Sequence, residues 1–292
     1  MNLTEYIKQV SEQFEQAELC FAHGTDNAVD ESVYLIYGCL GIDFGSDPAS
    51  VDRELTKEEI ERLTELVRRR ISDREPVAYI LDEAWFCGLP FHADRRALIP
   101  RSPIAELIQN RFEGLLEEEP ARILDLCTGG GCIGISAALE FKQAAVDLLD
   151  IDSDCLELAQ KNINRHGTLG RTKTLCSDLF QEAEACYDLI VANPPYVSAA
   201  EVAELPEEFR HEPRLGLLSA EQGLDIPIRI LQQAADYLTP NGCLVMEVGF
   251  SADRLSERLK RVPLLWLDFE YGGEGVTAIT REQLQQYREH IN

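Results

Sequence analysis

The chain has 292 residues, 45% hydrophobic and 27% charged, which is enough for one large domain and a small one and too apolar for a disordered tract. With 27 Lys and Arg against 52 Asp and Glu the net charge is −25, which opposes a stable grip on bare DNA and favours a basic protein partner. Nine cysteines without a C-x-x-C pair or zinc-finger spacing exclude a disulfide framework and a structural zinc site, the start carries no secretion signal, and no apolar run could span a bilayer, so the expected location is the cytoplasm.

The first 75 or so residues read as helices. Leu3 to Leu19 and Asp30 to Leu40 are candidates, separated by a turn at His23-Gly24-Thr25-Asp26-Asn27. Thr56 and Glu59 form a capping box, after which Ile60, Leu63, Leu66, Val67 and Ile71 share one helical face. Arg68, Arg69 and Arg70 crowd its last turn, where cations complement the helix dipole. Ala84-Trp85-Phe86-Cys87 and Pro90-Phe91-His92 flank Gly88 as a β-hairpin ending in the stiff stretch Ile99-Pro100-Arg101-Ser102-Pro103. These features divide the chain into a helical domain, 1–76, for docking a substrate, a hairpin linker, 77–103, and a main domain, 104–292.

The main domain alternates strand and helix. Ile123 to Cys127, Val146 to Asp150, a unit starting at Thr174, Tyr187 to Ala192 and Cys243 to Val248 are predicted strands, with helices at Ser153 to His166 and Leu224 to Leu238. Such βαβ alternation builds a parallel sheet covered on both faces. Leu264 to Phe269 and Val276 to Thr280, joined through Gly272-Gly273, read as an antiparallel edge hairpin. The fold class is α/β.

Gly129-Gly130-Gly131-Cys132-Ile133-Gly134 fits G-x-G-x-x-G between a strand and a helix, and Asp150 follows at the tip of the next strand, placed to accept from a ribose hydroxyl. NAD and S-adenosylmethionine both satisfy this pattern. Asp125-Leu126-Cys127-Thr128-Gly129-Gly130-Gly131 separates them: it resembles the first motif of the Rossmann-like class I methyltransferases, and a sulfonium with an α-ammonium favours carboxylate and carbonyl neighbours over an anion nest. Asp178, with Leu179 beside it, is placed to accept from the adenine amino group, as in that superfamily.

Asn193-Pro194-Pro195-Tyr196 follows the fourth strand, at the sheet edge where open α/β folds bind ligands. Two prolines fix the turn, so the Asn193 side-chain oxygen and the Pro194 carbonyl can each accept one hydrogen of a planar –NH2 group while Tyr196 stacks on it. That grip aims a delocalised nitrogen lone pair and favours the positive charge it develops on attack. Adenine, cytosine and glutamine all present such a group. The net charge, the lack of a basic aromatic-interleaved domain, and a small helical domain suited to docking a protein favour glutamine.

The segments Asp125 to Gly131, Asn193 to Tyr196 and the hairpin ending Ile99-Pro100-Arg101 together resemble the protein-(glutamine-N(5)) methyltransferases over nearly the whole chain. The resemblance implies S-adenosylmethionine held by Asp125, Thr128, Gly129, Gly130, Gly131, Cys132, Asp150, Asp178, Leu179 and Asn193, and an amide held by Asn193, Pro194, Pro195 and Tyr196, with Asn193, Pro194 and Tyr196 catalytic. Gly130 departs from the Ser or other small residue usual there, which is expected to loosen the turn without abolishing binding. His23 to Asn27, Ala84 to Gly88, Pro100 to Pro103 and Phe209 to Pro213 are similar to the branch whose substrate is ribosomal protein L-three of the large subunit, free or in an assembly intermediate. The sister branch, which modifies the Gly-Gly-Gln motif of release factors, reads P-R-P-E-T and R-F-E-P at the last two places. A DNA amino-methyltransferase and a non-catalytic ribosome-assembly factor with a vestigial cofactor fold are the remaining alternatives, and the intact Asn193 to Tyr196 turn speaks against the second. The long segment 198–223, with Arg210, His211 and Glu212, is expected to be a lid, and Phe86 and Phe91 are candidates to wall the transfer site.

Overall fold

Side-chain caps set where the N-terminal helices begin. In the computed structural model, which describes residues 1–291, α1 (Leu3–Gln16), α2 (Ala28–Leu40) and α3 (Lys57–Ser72) start where Asn2, Asn27 and Thr56 accept from backbone amides three residues on. The Thr56–Glu59 capping box forms in both directions. Leu3, Val10 and Phe14 of α1, Leu35 and Ile36 of α2, and Leu63 and Val67 of α3 close a small core of their own. Arg68 and Arg69 are the helix-end charges expected, paired with the exposed Asp73 and the buried Glu75. Arg70 is not: it is fully buried between Glu31 and Glu208. The apolar stripe of α3 gave no hint of this, because the two carboxylates lie 39 and 138 residues away in sequence.

Strands β1 (Glu83–Phe86) and β2 (Leu89–His92) form the expected antiparallel hairpin around Cys87 and Gly88, both at positive φ as a two-residue I′ turn needs. The main domain then supplies β3 (Arg122–Leu126), α4 (Cys132–Glu140), β4 (Ala145–Asp150), α5 (Ser153–His166), β5 (Thr172–Cys176), β6 (Tyr187–Ala192), α6 (Asp225–Tyr237), β7 (Leu238–Glu247), β8 (Leu265–Trp266) and β9 (Val276–Thr280). Their order across the sheet is β5-β4-β3-β6-β7-β9-β8, parallel from β5 to β7 and antiparallel at β9 and β8. Leu124, Leu126, Ile190 and Ala192 pack towards α6, whereas Ile123, Leu189 and Val191 pack with α4 and α5. Each strand is therefore apolar on both sides, as a doubly covered sheet requires. The chain reverses its direction of travel across the sheet between β3 and β6, and a cleft opens there beyond the carboxyl ends of the strands. Two features differ from expectation. The edge strand β8 has only two residues, and short helices Arg281–Gln286 and Arg288–Ile291 follow β9, burying Leu284 and Ile291 against α6. No described helix is long and apolar enough to cross a membrane.

The segment 198–223 is not one loop but four short helical turns, Ala199–Glu204, Glu207–His211, Arg214–Leu217 and Ala220–Gly223. Two buried glutamates pin its middle to the rest of the molecule. Glu208 accepts from the Cys20 amide at 3.0 Å and from Arg70 at 3.2 Å. Glu212 accepts from the Ile99 amide at 3.0 Å and takes both Arg101 guanidinium nitrogens, at 2.7 and 2.8 Å. Burial by itself would raise the Glu212 pKa, but His23 and Arg101 outweigh it and hold the group at about 2. Its folded pKa thus lies below the ordinary glutamate value of about 4.3, so its stabilising effect is present at neutral pH and fades only as pH falls from about 4 to about 2. Replacing Glu212 by Gln should cost about 3 kcal/mol of unfolding free energy at pH 7, read as a lower urea midpoint, and should speed proteolytic cleavage within 198–223.

Candidate active site

A cavity of about 980 Å³ occupies the cleft at the reversal point, bounded by the glycine turn, the tips of β4 and β6, the linker after the hairpin and the lid. The glycine turn is held from behind. Asp125 is fully buried in β3, and one of its oxygens accepts from Thr128 Oγ1 at 2.5 Å and the Gly134 amide at 2.8 Å. Its other oxygen is buried without a partner, and burial pushes the carboxyl up to about 7. Gly134 must lack a side chain, because a Cβ there would lie 2.1 Å from Leu148 Cδ2 and 2.9 Å from Asp125 Cβ. Asp125 and Gly131 consequently stand behind the cavity wall, while Thr128, Gly129, Gly130, Cys132 and Asp150 line it.

Three amides of this turn are already used. Thr128 N donates to Leu149 O, Gly129 N to Asp150 Oδ2 at 2.8 Å and Gly131 N to Thr128 O. A pyrophosphate would need such amides free. The cations around the cavity are also neutralised: Arg96 pairs with Asp94, Arg101 with Glu212, Arg229 with Asp178 and Arg254 with Glu201. Asp150, by contrast, faces no cation; burial first of all raises its pKa, against the hydrogen bonds from the Asp152 and Gly129 amides. A carboxylate in the wall with no cation beside it suits a ligand bearing positive charge. Asp178 and Leu179 line the cavity as expected, but both oxygens of Asp178 accept from Arg229 at 2.8 Å.

Asn193, Pro194, Pro195 and Tyr196 leave β6 on the opposite side of the same cavity and all four line it. Tyr196 is locked. Its hydroxyl donates to Glu247 Oε1 at 3.0 Å, its carbonyl accepts from Ser251 Oγ at 2.7 Å, and its ring lies so near Gly249 that a Cβ there would come within 2.7 Å of Cε2. Burial raises the phenol pKa, and the neighbouring Glu247 charge adds to this, so Tyr196 stays a neutral donor. Glu247 is itself buried, accepts from Ser102 Oγ at 2.5 Å on its other oxygen, and has a pKa raised by burial. Ser102 falls in the segment Pro100 to Pro103 that carries the resemblance, but no motif singled out Glu247. The clue in the sequence was an acid inside the apolar run Leu244-Val245-Met246-Glu247-Val248. Of the other candidates, Phe91 lines the cavity while Phe86 packs into the core. His211 faces away, with Nε2 2.8 Å from the Asp73 carbonyl.

Residues 5–81 match the family described as PrmC N-terminal domain, and residues 109–212 match the methyltransferase small domain. A protein of Francisella tularensis named ribosomal protein uL3 glutamine methyltransferase is 38% identical over 98% of this chain and 92% of its own. A Bordetella pertussis protein of the same name is 39% identical over 97% of this chain and 96% of its own. The chain belongs to this family of glutamine methyltransferases. The hMettl16 catalytic domain, solved with MAT2A 3'UTR hairpins, shares the fold at TM-scores of 0.53 and 0.52 with 17% and 16% identity, covering 77% and 94% of this chain and 82% and 88% of the solved ones.

This glutamine methyltransferase uses S-adenosylmethionine, in accord with the occupied turn amides and the uncompensated carboxylate of Asp150. Burial pushes the Asp125 carboxyl up to about 7, so it loses its proton more readily once a cation is bound nearby. Affinity for S-adenosylmethionine should therefore rise as pH increases from about 6 to about 8, and calorimetry in two buffers of different ionisation enthalpy should register proton release on binding at pH 7.

Proposed function

We propose that this enzyme transfers a methyl group from S-adenosylmethionine to the side-chain amide nitrogen of a glutamine in large-subunit ribosomal protein uL3, giving N(5)-methylglutamine. What carries this reading is the locked Asn193-Pro194-Pro195-Tyr196 corner facing a carboxylate-lined cavity, in a chain matched along nearly all its length by relatives of that name.

Bound S-adenosylmethionine supplies a methyl group activated by its sulfonium charge. In this reading Thr128, Gly129, Gly130 and Cys132 border its methionine part, with Asp125 and Gly131 shaping the turn from behind, Asp150 accepts from the ribose, and Asp178 and Leu179 border the adenine. The Asn193 side-chain oxygen and the Pro194 carbonyl accept the two hydrogens of the substrate carboxamide. Polarising both N–H bonds raises electron density on nitrogen, and fixing them turns its lone pair towards the donor. Pro195 removes a competing backbone donor and stiffens the turn. Tyr196, held by Glu247 and Ser251, offers a flat face that keeps the carboxamide in plane. The nitrogen keeps both hydrogens until the carbon–nitrogen bond has formed, and one then leaves to solvent.

The helical domain, 1–76, docks the substrate, 77–103 links it to the site, and 104–292 performs the transfer. The −25 charge draws a basic ribosomal protein, free or in an assembly intermediate, at long range, and neither DNA nor a membrane is a partner in this reading. The reaction is placed in the cytoplasm, where the ribosomal protein is made.

Radiolabelled S-adenosylmethionine offered with purified uL3, a release factor or a DNA duplex tests the acceptor. Label should enter uL3, as a 14-dalton increment on a glutamine-containing peptide, and transfer only to the release factor or to DNA would reverse the assignment. Asn193→Ala should lower kcat by about 10²–10³ with little change in S-adenosylmethionine affinity.

A further inference from the structure

A second cavity, of about 340 Å³, shares the wall Ile99-Pro100 with the methyl-transfer cavity. Three aromatic rings border it: Tyr34 on α2, Phe44 just after α2, and Trp85 on β1. Phe44 and Trp85 meet edge to face at 5.4 Å between centroids with planes 82° apart, and Tyr34 meets Phe44 at 5.9 Å and 61°. The Tyr34 hydroxyl donates to the Glu83 carbonyl at 2.5 Å, which fixes helix, ring and hairpin together. Phe44 and Trp85 nevertheless stay 38% and 41% exposed, so rigid ring surface is left open to solvent.

The polar groups at this cavity all lack a cation. Asp30 stands at the rim with its carboxylate touching only the Asn27 side chain and no basic group. His23 is 5% exposed, and its Nδ1 has no hydrogen-bond partner. Its Nε2, also without a hydrogen-bond partner, lies 3.5 Å from Glu212 Oε2. No lysine or arginine lines the cavity.

We propose that this cavity binds a lysine or arginine side chain of the methyl-accepting protein while that protein's glutamine occupies the neighbouring site. The inference rests on the reading of the substrate as a basic protein and adds to it a specificity pocket. Ring faces attract an ammonium or guanidinium through their quadrupoles, and Asp30 adds opposite charge. An apolar side chain would fill the rings but gain nothing from Asp30. Because the pocket is equally occupied before and during methyl transfer, its contribution appears in KM and not in kcat. The shared Ile99-Pro100 wall ties its position to the acceptor corner.

Two measurements test this independently. The chain has two tryptophans, so Trp266→Phe leaves Trp85 as sole reporter. Titrating that variant with Nα-acetyl-arginine amide or Nα-acetyl-lysine amide should change Trp85 emission saturably, whereas the uncharged norleucine amide should not, and Asp30→Asn should weaken the response. In uL3 methylation, Trp85→Ala and Phe44→Ala should each raise KM for uL3 about five- to tenfold, with kcat and S-adenosylmethionine affinity unchanged. The proposal is overturned if norleucine amide acts as well as the cations, if no ligand alters the emission, or if KM stays constant in both variants. If the unaltered enzyme leaves uL3 unmethylated, the substrate assignment fails, while the emission arm still decides whether the pocket takes a cation.

Discussion

Four residues of backbone, Ile99 to Ser102, are gripped between two buried carboxylates, and the arrangement of the site depends on that grip. The Ile99 amide and the Arg101 guanidinium donate to Glu212 from the lid, and the Ser102 hydroxyl donates to Glu247 at the end of β7. A buried carboxylate is tolerated only when its oxygens are bonded, so withdrawing any partner leaves a costly group behind. The result is a discrete geometry. Glu247 passes it on to Tyr196, and Glu212 passes it on to His23 in the helical domain.

The same segment explains how three separate parts of the chain enclose one cavity. The sheet by itself sets only the glycine turn after β3 and the proline corner after β6 on neighbouring strands. The remaining walls come from the linker and the lid, whose middle is fastened to the helical domain by Glu208 on Arg70 and Cys20. The helical domain and the segment 198–223 are thus mechanically joined.

Electrostatics separates this cavity from a nucleotide-phosphate site of similar shape. Its arginines are each matched by a carboxylate, and three of the turn amides donate within the protein. What remains unbalanced along the wall is negative, at Asp150. A sulfonium with an ammonium fits that balance, and the acidic surface extends the same preference outward to a basic protein partner.

Much of the fold was legible because its signals are local. The capping box Thr56–Glu59, the Cys87-Gly88 turn, the strand Tyr187–Ala192 and the helix Ser153–His166 follow from contacts within a few residues or from period, and they form where the pattern places them. Asp125 and Asn193 were legible as a motif, yet Asp125 turned out to brace the turn from behind the wall while Asn193 borders the cavity. The partners of Arg70, Glu212, Glu247 and Asp178 were not readable, since each lies at least 39 residues off in sequence. The amino-acid sequence determined the two short turns that carry the chemistry, because proline, glycine and asparagine constrain backbone and donor geometry wherever they occur. Only the tertiary structure decided which charges are buried, what they hold, and that rings from α2 and β1 meet as a pocket beside the site, because burial and pairing depend on segments that folding alone brings together.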